Sequence, residues 1–228
     1  VNPTQFNNAE DLQKYPRTLE KDTTLLESLG VHFVFAPTAE EMYSAEEMQA
    51  RFSFDFNGLD EVMEGKMRPG HFNGVVQVVS RLFELVRPTR AYFGEKDFQQ
   101  LAIIRHMVEH STLSSNFNNL KIVGCPIVRE ASGLALSSRN ERLSDNEKQT
   151  AVAISQTLIA SLEWAKTDSL EEVQKRVIDT INAIDGLEVE YFEIVDKTTL
   201  QPTTTFDNAI GCVTVFCGPV RLIDNIQY

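Results

Sequence analysis

Residues 91–108 carry the feature that most constrains the fold: a short apolar strand that passes through a glycine turn into an amphipathic helix. Residues 91–93 are predicted to form the strand, and residues 101–108 carry apolar side chains at helical spacing. The turn between them contains Gly94, Lys96 and Asp97. A strand that leads directly into a helix is the building unit of a parallel α/β sheet, and such sheets bind nucleotides at this kind of turn.

Lys96 is predicted to contact a phosphate group. A glycine permits close approach of the main chain, and a helix N-terminus offers free N–H groups and the positive end of the helix dipole. The alternative is a solvated surface charge, but a lysine opposes the dipole at this position unless an anion lies beside it. Asp97 has two compatible interpretations, as the N-cap of the helix and as an acceptor for ribose hydroxyls.

Helix and strand patterns alternate in the first half of the chain and then cluster. Buried or paired strands are predicted at 31–36, 91–93 and 120–123, helices at 18–29, 74–86 and 98–110, and an edge strand or a loop at 51–59. Beyond residue 140, Ser144 with Glu147 and Ser169 with Glu172 have capping-box spacing and predict helices that end at 164 and at about 184. Strands are predicted at 188–195, 209–216 and 220–226. We therefore expect an α/β fold, with a Rossmann-like parallel sheet in residues 1–120 and a smaller α+β domain in residues 121–228.

Composition excludes several classes of function. The net charge of −12 disfavours a nucleic-acid partner, because phosphate backbones select basic surfaces. Nowhere does an apolar run approach the length of a membrane span, so no membrane partner is expected. The three cysteines lack the paired spacing of a zinc site and predict reduced thiols in the cytoplasm.

Several motifs occur in the same order as in a known family. They are Val1-Asn2-Pro3-Thr4-Gln5-Phe6, Tyr15-Pro16-Arg17-Thr18, Arg68-Pro69-Gly70-His71-Phe72-Asn73-Gly74, Gly94-Glu95-Lys96-Asp97, Val128-Arg129-Glu130-Ala131-Ser132-Gly133, Leu136-Ser137-Ser138-Arg139-Asn140 and Val220-Arg221-Leu222-Ile223-Asp224-Asn225. Over essentially its whole length the chain resembles the pantothenate synthetases, which are pantoate–beta-alanine ligases of the nucleotidyltransferase superfamily.

The resemblance implies a reaction, its cofactors and its partners. The carboxylate of pantoate attacks the α-phosphorus of MgATP to give pantoyl adenylate and pyrophosphate, and the amine of beta-alanine then displaces AMP. The substrates are therefore pantoate, beta-alanine and ATP, the cofactors are ATP and Mg²⁺, and the enzyme is expected to be a cytoplasmic homodimer. Closure of the second domain would protect the adenylate from water.

The same resemblance implies the site residues. Those expected to bind ATP are Gly94, Glu95, Lys96, Asp97, Val128, Leu136, Ser137, Ser138 and Arg139, of which Lys96, Ser137, Ser138 and Arg139 are expected to be catalytic. Two hydroxyls and a guanidinium suit the developing charge of a triphosphate under attack. Asn2, Gln5 and Gln100 are expected to bind substrate, because neutral amides hold a hydroxy acid without adding charge. No protein ligand for a metal is predicted.

Alternatives remain open for these residues. Residues 136–139 could form a surface turn with a cap, and each amide could be an ordinary cap or loop amide. His71 is expected in a loop near the site, with no role assigned. The spacing of His106, Glu109 and His110 matches a zinc pattern, which we attribute to chance because the helix is already explained by its core face.

The chain opens at Val1-Asn2-Pro3, in what should be a strand, and the His-x-Gly-His signature of the resembling family is not found in it. We expect a first strand and helix with this signature to precede Val1, and we expect the 228 residues alone to be inactive. Two rival hypotheses are another nucleotidyltransferase of the same superfamily, and a non-catalytic interaction module.

Overall fold

The computed structural model describes residues 2–6, 9–44, 46–47, 52–110, 113, 117 and 119–228. The helices within these ranges are α1 (Ala9–Lys14), α2 (Leu19–Ser28), α3 (Ala39–Met42), α4 (Met63–Met67), α5 (His71–Val86), α6 (Phe98–His110), α7 (Asp145–Trp164) and α8 (Leu170–Asn182). The strands are β1 (Arg90–Gly94), β2 (Lys121–Cys125), β3 (Leu187–Asp196), β4 (Ala209–Cys217) and β5 (Val220–Gln227). Short 3₁₀ turns occupy Pro3–Gln5, Glu95–Asp97 and Ser138–Arg142.

Strands β1 and β2 form a parallel pair, as the alternation of patterns predicted. Arg90 lies opposite Lys121 and Gly94 opposite Cys125, and α6 is the crossover helix between the two strands. The carboxyl ends of both strands therefore meet at one edge of the sheet, next to the start of α6.

Strands β3, β4 and β5 form a separate antiparallel sheet with β4 in the centre. Both faces of this sheet are covered. On one face Phe192 and Val213 belong to a core cluster with Ile154 and Val177, which lie on α7 and α8. On the other face Ile210 belongs to a second cluster, which includes residues of α5 and α6. The antiparallel sheet thus lies between its own two helices and the first part of the chain.

The capping boxes predicted from sequence are present. The Ser144 hydroxyl accepts a hydrogen bond from the Glu147 N–H, and the Glu147 carboxylate accepts one from the Ser144 N–H. Ser169 with Glu172 repeats the arrangement at the start of α8. Each box satisfies two main-chain donors that a helix N-terminus otherwise leaves open. This explains why both helices begin where the sequence predicted.

The predicted strand at 31–36 is wrong. Residues 31–38 have no regular secondary structure, and Phe33 is 90% exposed. The physical reason is that a strand needs a hydrogen-bonding neighbour, and within the described residues the parallel sheet consists of β1 and β2 alone. Residues 52–56 also lack a strand, which leaves the loop alternative, and Arg51 lies outside the described residues.

The strand predicted at the start of the chain is also wrong for the residues of it that the structure describes. Val1 lies outside the described residues, and Pro3–Gln5 forms a 3₁₀ turn. Proline is favoured at the start of such a turn, because its φ is fixed near the helical value and its missing N–H would have had no partner there.

The division of the chain into domains at residue 120 stays a prediction. Because β2 pairs with β1, residues 121–125 belong to the parallel sheet. We therefore favour a boundary after Cys125 rather than before Lys121.

Candidate active site

A cleft of about 530 Å³ lies beside the carboxyl end of β1, between the start of α5, the start of α6 and the antiparallel sheet. A smaller cavity of about 360 Å³ adjoins it. Four residues line both of them, so the two are adjacent and are together called the recess: Lys96, Arg139, Ile223 and Asp224. The carboxyl edge of a parallel sheet is where open α/β folds bind their ligands.

The turn predicted to bind phosphate forms one wall of the cleft. Gly94 ends β1, Glu95–Asp97 makes a 3₁₀ turn, and α6 follows without a break. The side chains of Lys96, Asp97 and Gln100 line the cleft. The interpretation of Asp97 as the N-cap is wrong, because Gly94 occupies the capping position of this turn and Asp97 lies within it.

The second predicted segment, residues 128–139, forms the wall of the smaller cavity. Ser137 and Arg139 line it, and Ser137 also caps the following 3₁₀ turn by accepting a hydrogen bond from the Arg139 N–H at 3.3 Å. Ser138 donates to the Tyr15 hydroxyl at 3.2 Å, and the Arg139 guanidinium lies 5.8 Å from the centroid of the Tyr15 ring. The loop is therefore both a cap and a part of the recess, so the two interpretations are compatible.

Val128 and Leu136 lie at the base of this segment with their side chains exposed. Val128 is 65% exposed and Leu136 is 50% exposed. The Leu136 N–H donates to the Val128 carbonyl at 2.9 Å, so the two residues are adjacent. A pair of exposed apolar side chains beside a recess provides a surface against which a flat ring can pack.

The three predicted substrate amides are not in equivalent places. Gln100 lines the larger cleft, whereas Asn2 and Gln5 are not among the residues that line either cavity. Asn2 donates to the carbonyl of Gly74 at 3.0 Å, which ties the Pro3–Gln5 turn to α5. A side chain at Gly74 would lie 2.6 Å from the Thr4 carbonyl oxygen, so only glycine lets the turn come this close.

His71 is the first residue of α5 and is buried, so its predicted place in a loop is wrong. Its Nδ1 lies 2.7 Å from the Gln5 carbonyl oxygen, and its Nε2 lies 3.2 Å from Nη1 of Arg68. Because a carbonyl only accepts and a guanidinium only donates, Nδ1 carries the proton and Nε2 accepts. Burial, together with the charge of Arg68, lowers the pKa of His71 to about 4. The histidine is therefore neutral at physiological pH and links Gln5 to Arg68.

Arg68 was not singled out from sequence, yet its side chain lines the larger cleft. Burial lowers the pKa of its guanidinium, and the charge of Arg139 acts on it in the same direction. The Glu64 carboxylate lies 3.6 Å from Nη1 of Arg68 and acts in the opposite direction. A half-buried guanidinium at the wall of a cleft can form charge-assisted hydrogen bonds to an anion that binds there. The signal in the sequence was the Arg68-Pro69-Gly70-His71 run, which places Arg68 just before helix α5, whose N-cap Gly70 has a positive φ.

A buried ion network fixes the segment that carries Arg68 to the antiparallel sheet. Glu64 accepts two hydrogen bonds from Arg221, at 2.7 and 2.8 Å, and one each from the hydroxyls of Tyr191 and Thr214. Burial alone would raise the pKa of Glu64, but Arg221 and the two hydroxyls lower it to about 2. Arg221 also donates to Glu190. No local pattern in the sequence indicated this network, because its members are far apart in the chain.

A protein metal site is not evident in the part of the chain that the structure describes. There, no group of three or more His, Cys, Asp or Glu could hold a metal ion. His106 instead has its Nε2 3.1 Å from the Asp55 carbonyl oxygen. Among the described helices, none is both long and apolar enough to cross a membrane.

The fold and the recess define an α/β protein with a cleft at the carboxyl edge of a parallel sheet, under a second, antiparallel lobe, which is where proteins of this class bind their ligands. Comparison with known proteins makes this specific. The family described as pantoate-beta-alanine ligase matches residues 1–227, and the chain belongs to that family.

Relatives with high identity are named pantothenate synthetase. One from Phocaeicola vulgatus is 61% identical over 100% of this chain and 79% of its own length, and one from Bacteroides fragilis is 57% identical over the same shares. A crystal structure of pantothenate synthetase from Thermus thermophilus has a TM-score of 0.90 at 42% identity, covering 99% of this chain and 80% of that one. A pantoate-beta-alanine ligase from Francisella tularensis, solved with beta-gamma ATP and beta-alanine, has a TM-score of 0.76 at 33% identity over 100% of this chain and 76% of that one.

Proposed function

We propose that the recess is the active site of an ATP-dependent ligase that condenses pantoate with beta-alanine to form pantothenate, AMP and pyrophosphate. The observation that carries this proposal is the convergence of Arg68, Lys96 and Arg139 on one cleft from three separate segments. Side chains of this kind form strong, charge-assisted hydrogen bonds to phosphate oxygens, so together they suit an anion of high charge. Membership of the ligase family, and the relative from Francisella tularensis that was solved with beta-gamma ATP and beta-alanine, support the triphosphate of ATP as that anion.

Formation of the adenylate is the step that this arrangement serves. The pantoate carboxylate attacks the α-phosphorus, the bond from the α-phosphorus to the bridging oxygen breaks, and pyrophosphate leaves with the electron pair. Lys96 and Arg139, with the hydroxyls of Ser137 and Ser138, stabilise the negative charge that develops on the phosphates. The main chain at Gly94 and Glu95 allows close approach of the nucleotide, Asp97 accepts from the ribose hydroxyls, and Val128 and Leu136 pack against the adenine.

Pantoate is held by amides. Gln100 reaches it from α6, and Gln5 and Asn2 reach it from the opposite side once substrate is bound. Neutral His71 fixes the carbonyl of Gln5 and the guanidinium of Arg68 at the same time, so the pantoate side and the phosphate side of the cleft keep their separation.

The second step is attack by the amine of beta-alanine on the carbonyl carbon of the mixed anhydride. The carbon–oxygen bond to AMP breaks and an amide forms, with loss of one proton from the amine. The antiparallel sheet covers the cleft through Tyr191, Cys212 and Val213, which limits access of water to the anhydride.

The nucleotide would bring Mg²⁺ with it, and the ion would supply positive charge that neutralises the phosphates. Mg²⁺ keeps water and phosphate oxygens as ligands and needs only one or two carboxylates from a protein. The cleft fits that mode of binding, since Glu64 and Asp224 are held by arginines while Asp97 is exposed beside Lys96. We also propose that the enzyme is a cytoplasmic homodimer, on the strength of its family alone.

Alanine substitutions at Lys96 and Arg139 test the assignment. In the full-length protein either change is expected to slow pyrophosphate release, measured with pantoate and MgATP, on the order of a hundredfold or more, with little change in thermal unfolding. Lys166→Ala, a surface change in the second lobe, is the control. Turnover of beta-alanine separates a ligase from other nucleotidyltransferases, and normal pyrophosphate release in Lys96→Ala would reject the site.

A further inference from the structure

Strand β5 carries, in its second half, two buried polar residues that the proposed chemistry does not use. Asp224 is 5% exposed and Asn225 is 4% exposed. They close the run Val220-Arg221-Leu222-Ile223-Asp224-Asn225, for which the sequence predicted a strand and no function. Buried polar groups are retained only where their hydrogen bonds are satisfied, so their partners indicate what they do.

Asn225 holds the main chain of the phosphate-binding turn. Its Nδ2 donates to the Glu95 carbonyl oxygen at 2.8 Å and to the Lys96 carbonyl oxygen at 3.0 Å. Because one side-chain atom of Asn225 faces two carbonyl oxygens, that atom must be the amide nitrogen, which has two hydrogens to donate. The contact therefore fixes the position of the residue whose side chain is proposed to meet the triphosphate.

Asp224 holds the other segment of the proposed ATP site. Its carboxylate receives two parallel hydrogen bonds from Arg129, at 2.7 and 2.9 Å. Arg129 also donates to the Gly133 carbonyl and pairs with Ala135 in an isolated bridge, so it anchors the base of the loop that leads to Ser137. Asp224 and Asn225 are linked in turn, because the Asn225 N–H donates to the Asp224 carboxylate at 2.8 Å.

We propose that Asp224 and Asn225 are positioning residues of the ligase reaction, which set the distance between the Lys96 turn and the 128–139 loop. Successive side chains of a strand point to opposite sides, so one dipeptide reaches both segments. The proposal rests on the proposed function. Asn225 acts through Lys96, and Asp224 acts through Arg129; neither contacts the reacting atoms.

Asn225→Asp is the most direct test. The carboxylate keeps the shape of the amide but cannot donate, and it faces two carbonyl oxygens, so the turn is pushed out of place. Displacement of a catalytic group by about 1 Å typically costs on the order of a hundredfold in rate. We expect kcat to fall at least tenfold while the KM for beta-alanine stays within twofold. Asn225→Ala, which removes the donors without repulsion, is expected to give a smaller fall of the same kind.

Asn182→Asp is the matched control. It adds the same charge in the same lobe and keeps the oxygen that accepts from the Val189 N–H, so kcat is expected to stay at the wild-type value. The Lys96→Ala protein supplies the decisive background. There, Asn225→Asp is expected to cost several-fold less than it does in the wild-type protein, since the Lys96 side chain is gone and only the other contacts of the turn remain to be disturbed.

Different results reject different hypotheses. A full-length wild-type protein that forms no pantothenate would reject the proposed function. An active wild-type protein with normal kcat in Asn225→Asp, or with independent losses in the double variant, would overturn the positioning role. Unfolding of both Asn225 variants at the assay temperature would also overturn it, by assigning Asn225 to stability alone.

Discussion

At the scale of single residues, the cleft depends on hydrogen bonds that fix the tautomer of a histidine and the orientation of an amide. His71 has a donor on one side and an acceptor on the other, which only the neutral ring with its proton on Nδ1 satisfies. Asn225 likewise faces two acceptors, which only an amide nitrogen satisfies. In both cases the chemistry of the neighbours, rather than the residue type alone, decides what the side chain does.

The pantoate amides give a prediction at this scale. Gln100→Ala and Gln5→Ala each remove a neutral hydrogen-bonding group, whose loss typically costs about 1 kcal/mol, or roughly five- to tenfold in affinity. We expect the KM for pantoate to rise by that factor, measured by pyrophosphate release, with ATP affinity in the absence of pantoate unchanged. Gln201→Ala, on an exposed turn, is the control. Equal loss of ATP affinity would move these residues to the nucleotide site.

At the scale of elements, local signals predicted local structure. Helices α7 and α8 and strands β3, β4 and β5 were predicted within a few residues of their ends, because caps, turns and periodicity act over short distances. The segment at 31–36 has the composition of a strand, but pairing depends on a neighbour that composition does not specify.

The candidate site was predictable to a similar extent. Lys96, Gln100, Ser137 and Arg139 come together in one recess, as their motifs suggested. The residues that the sequence missed act across lobes: Arg221 reaches Glu64 from β5, and Asn225 reaches the Lys96 turn from the same strand. Contacts between distant parts of a chain leave no periodic pattern and become visible only in the fold.

The Glu64–Arg221 pair gives a prediction about elements, because it joins α4 to β5. Arg221→Met leaves the buried Glu64 carboxylate without the cation that donates two hydrogen bonds to it, so that only Arg68 remains, at 3.6 Å. Breaking a buried pair in this way typically costs about 3–5 kcal/mol. We expect the free energy of unfolding in urea at pH 7 to fall by that amount. Removing both charges, in Glu64→Met with Arg221→Met, is expected to recover part of the loss.

An exposed ion pair in the second lobe provides the comparison for this prediction. Lys166 and Glu163 lie 2.6 Å apart with side chains 65% and 72% exposed. Lys166→Met is expected to cost less than about 1 kcal/mol, because water already solvates both charges. A similarly small effect of Arg221→Met would show that the buried pair does not hold the lobes together.

At the scale of the whole molecule, stability should fall in acid in two stages. The folded state holds the pKa of His71 at about 4, below its ordinary value of 6.5, so below pH 6.5 the unfolded chain binds a proton that the folded chain does not. The folded state holds the pKa of Glu64 at about 2, below its ordinary value of 4.5, so the same argument applies from pH 4.5 downward. Each group stabilises the fold above its unfolded pKa and loses that contribution as pH falls toward its folded pKa.

Urea unfolding at a series of pH values separates the two stages. In the wild-type protein the free energy of unfolding is expected to fall between pH 6.5 and 4 by about 3 kcal/mol from His71, and further between pH 4.5 and 2 from Glu64. His71→Asn cannot take up a proton, yet it retains an amide donor for the Gln5 carbonyl. The free energy of unfolding of this variant should therefore change little between pH 6.5 and 4, and should still fall between pH 4.5 and 2. His110→Asn, at an exposed position on α6, should leave both stages as they are in the wild-type protein. Suppose instead that the free energy of unfolding of His71→Asn falls as steeply as that of the wild-type protein between pH 6.5 and 4. The fold then does not hold His71 neutral, and a neutral ring does not link Gln5 to Arg68.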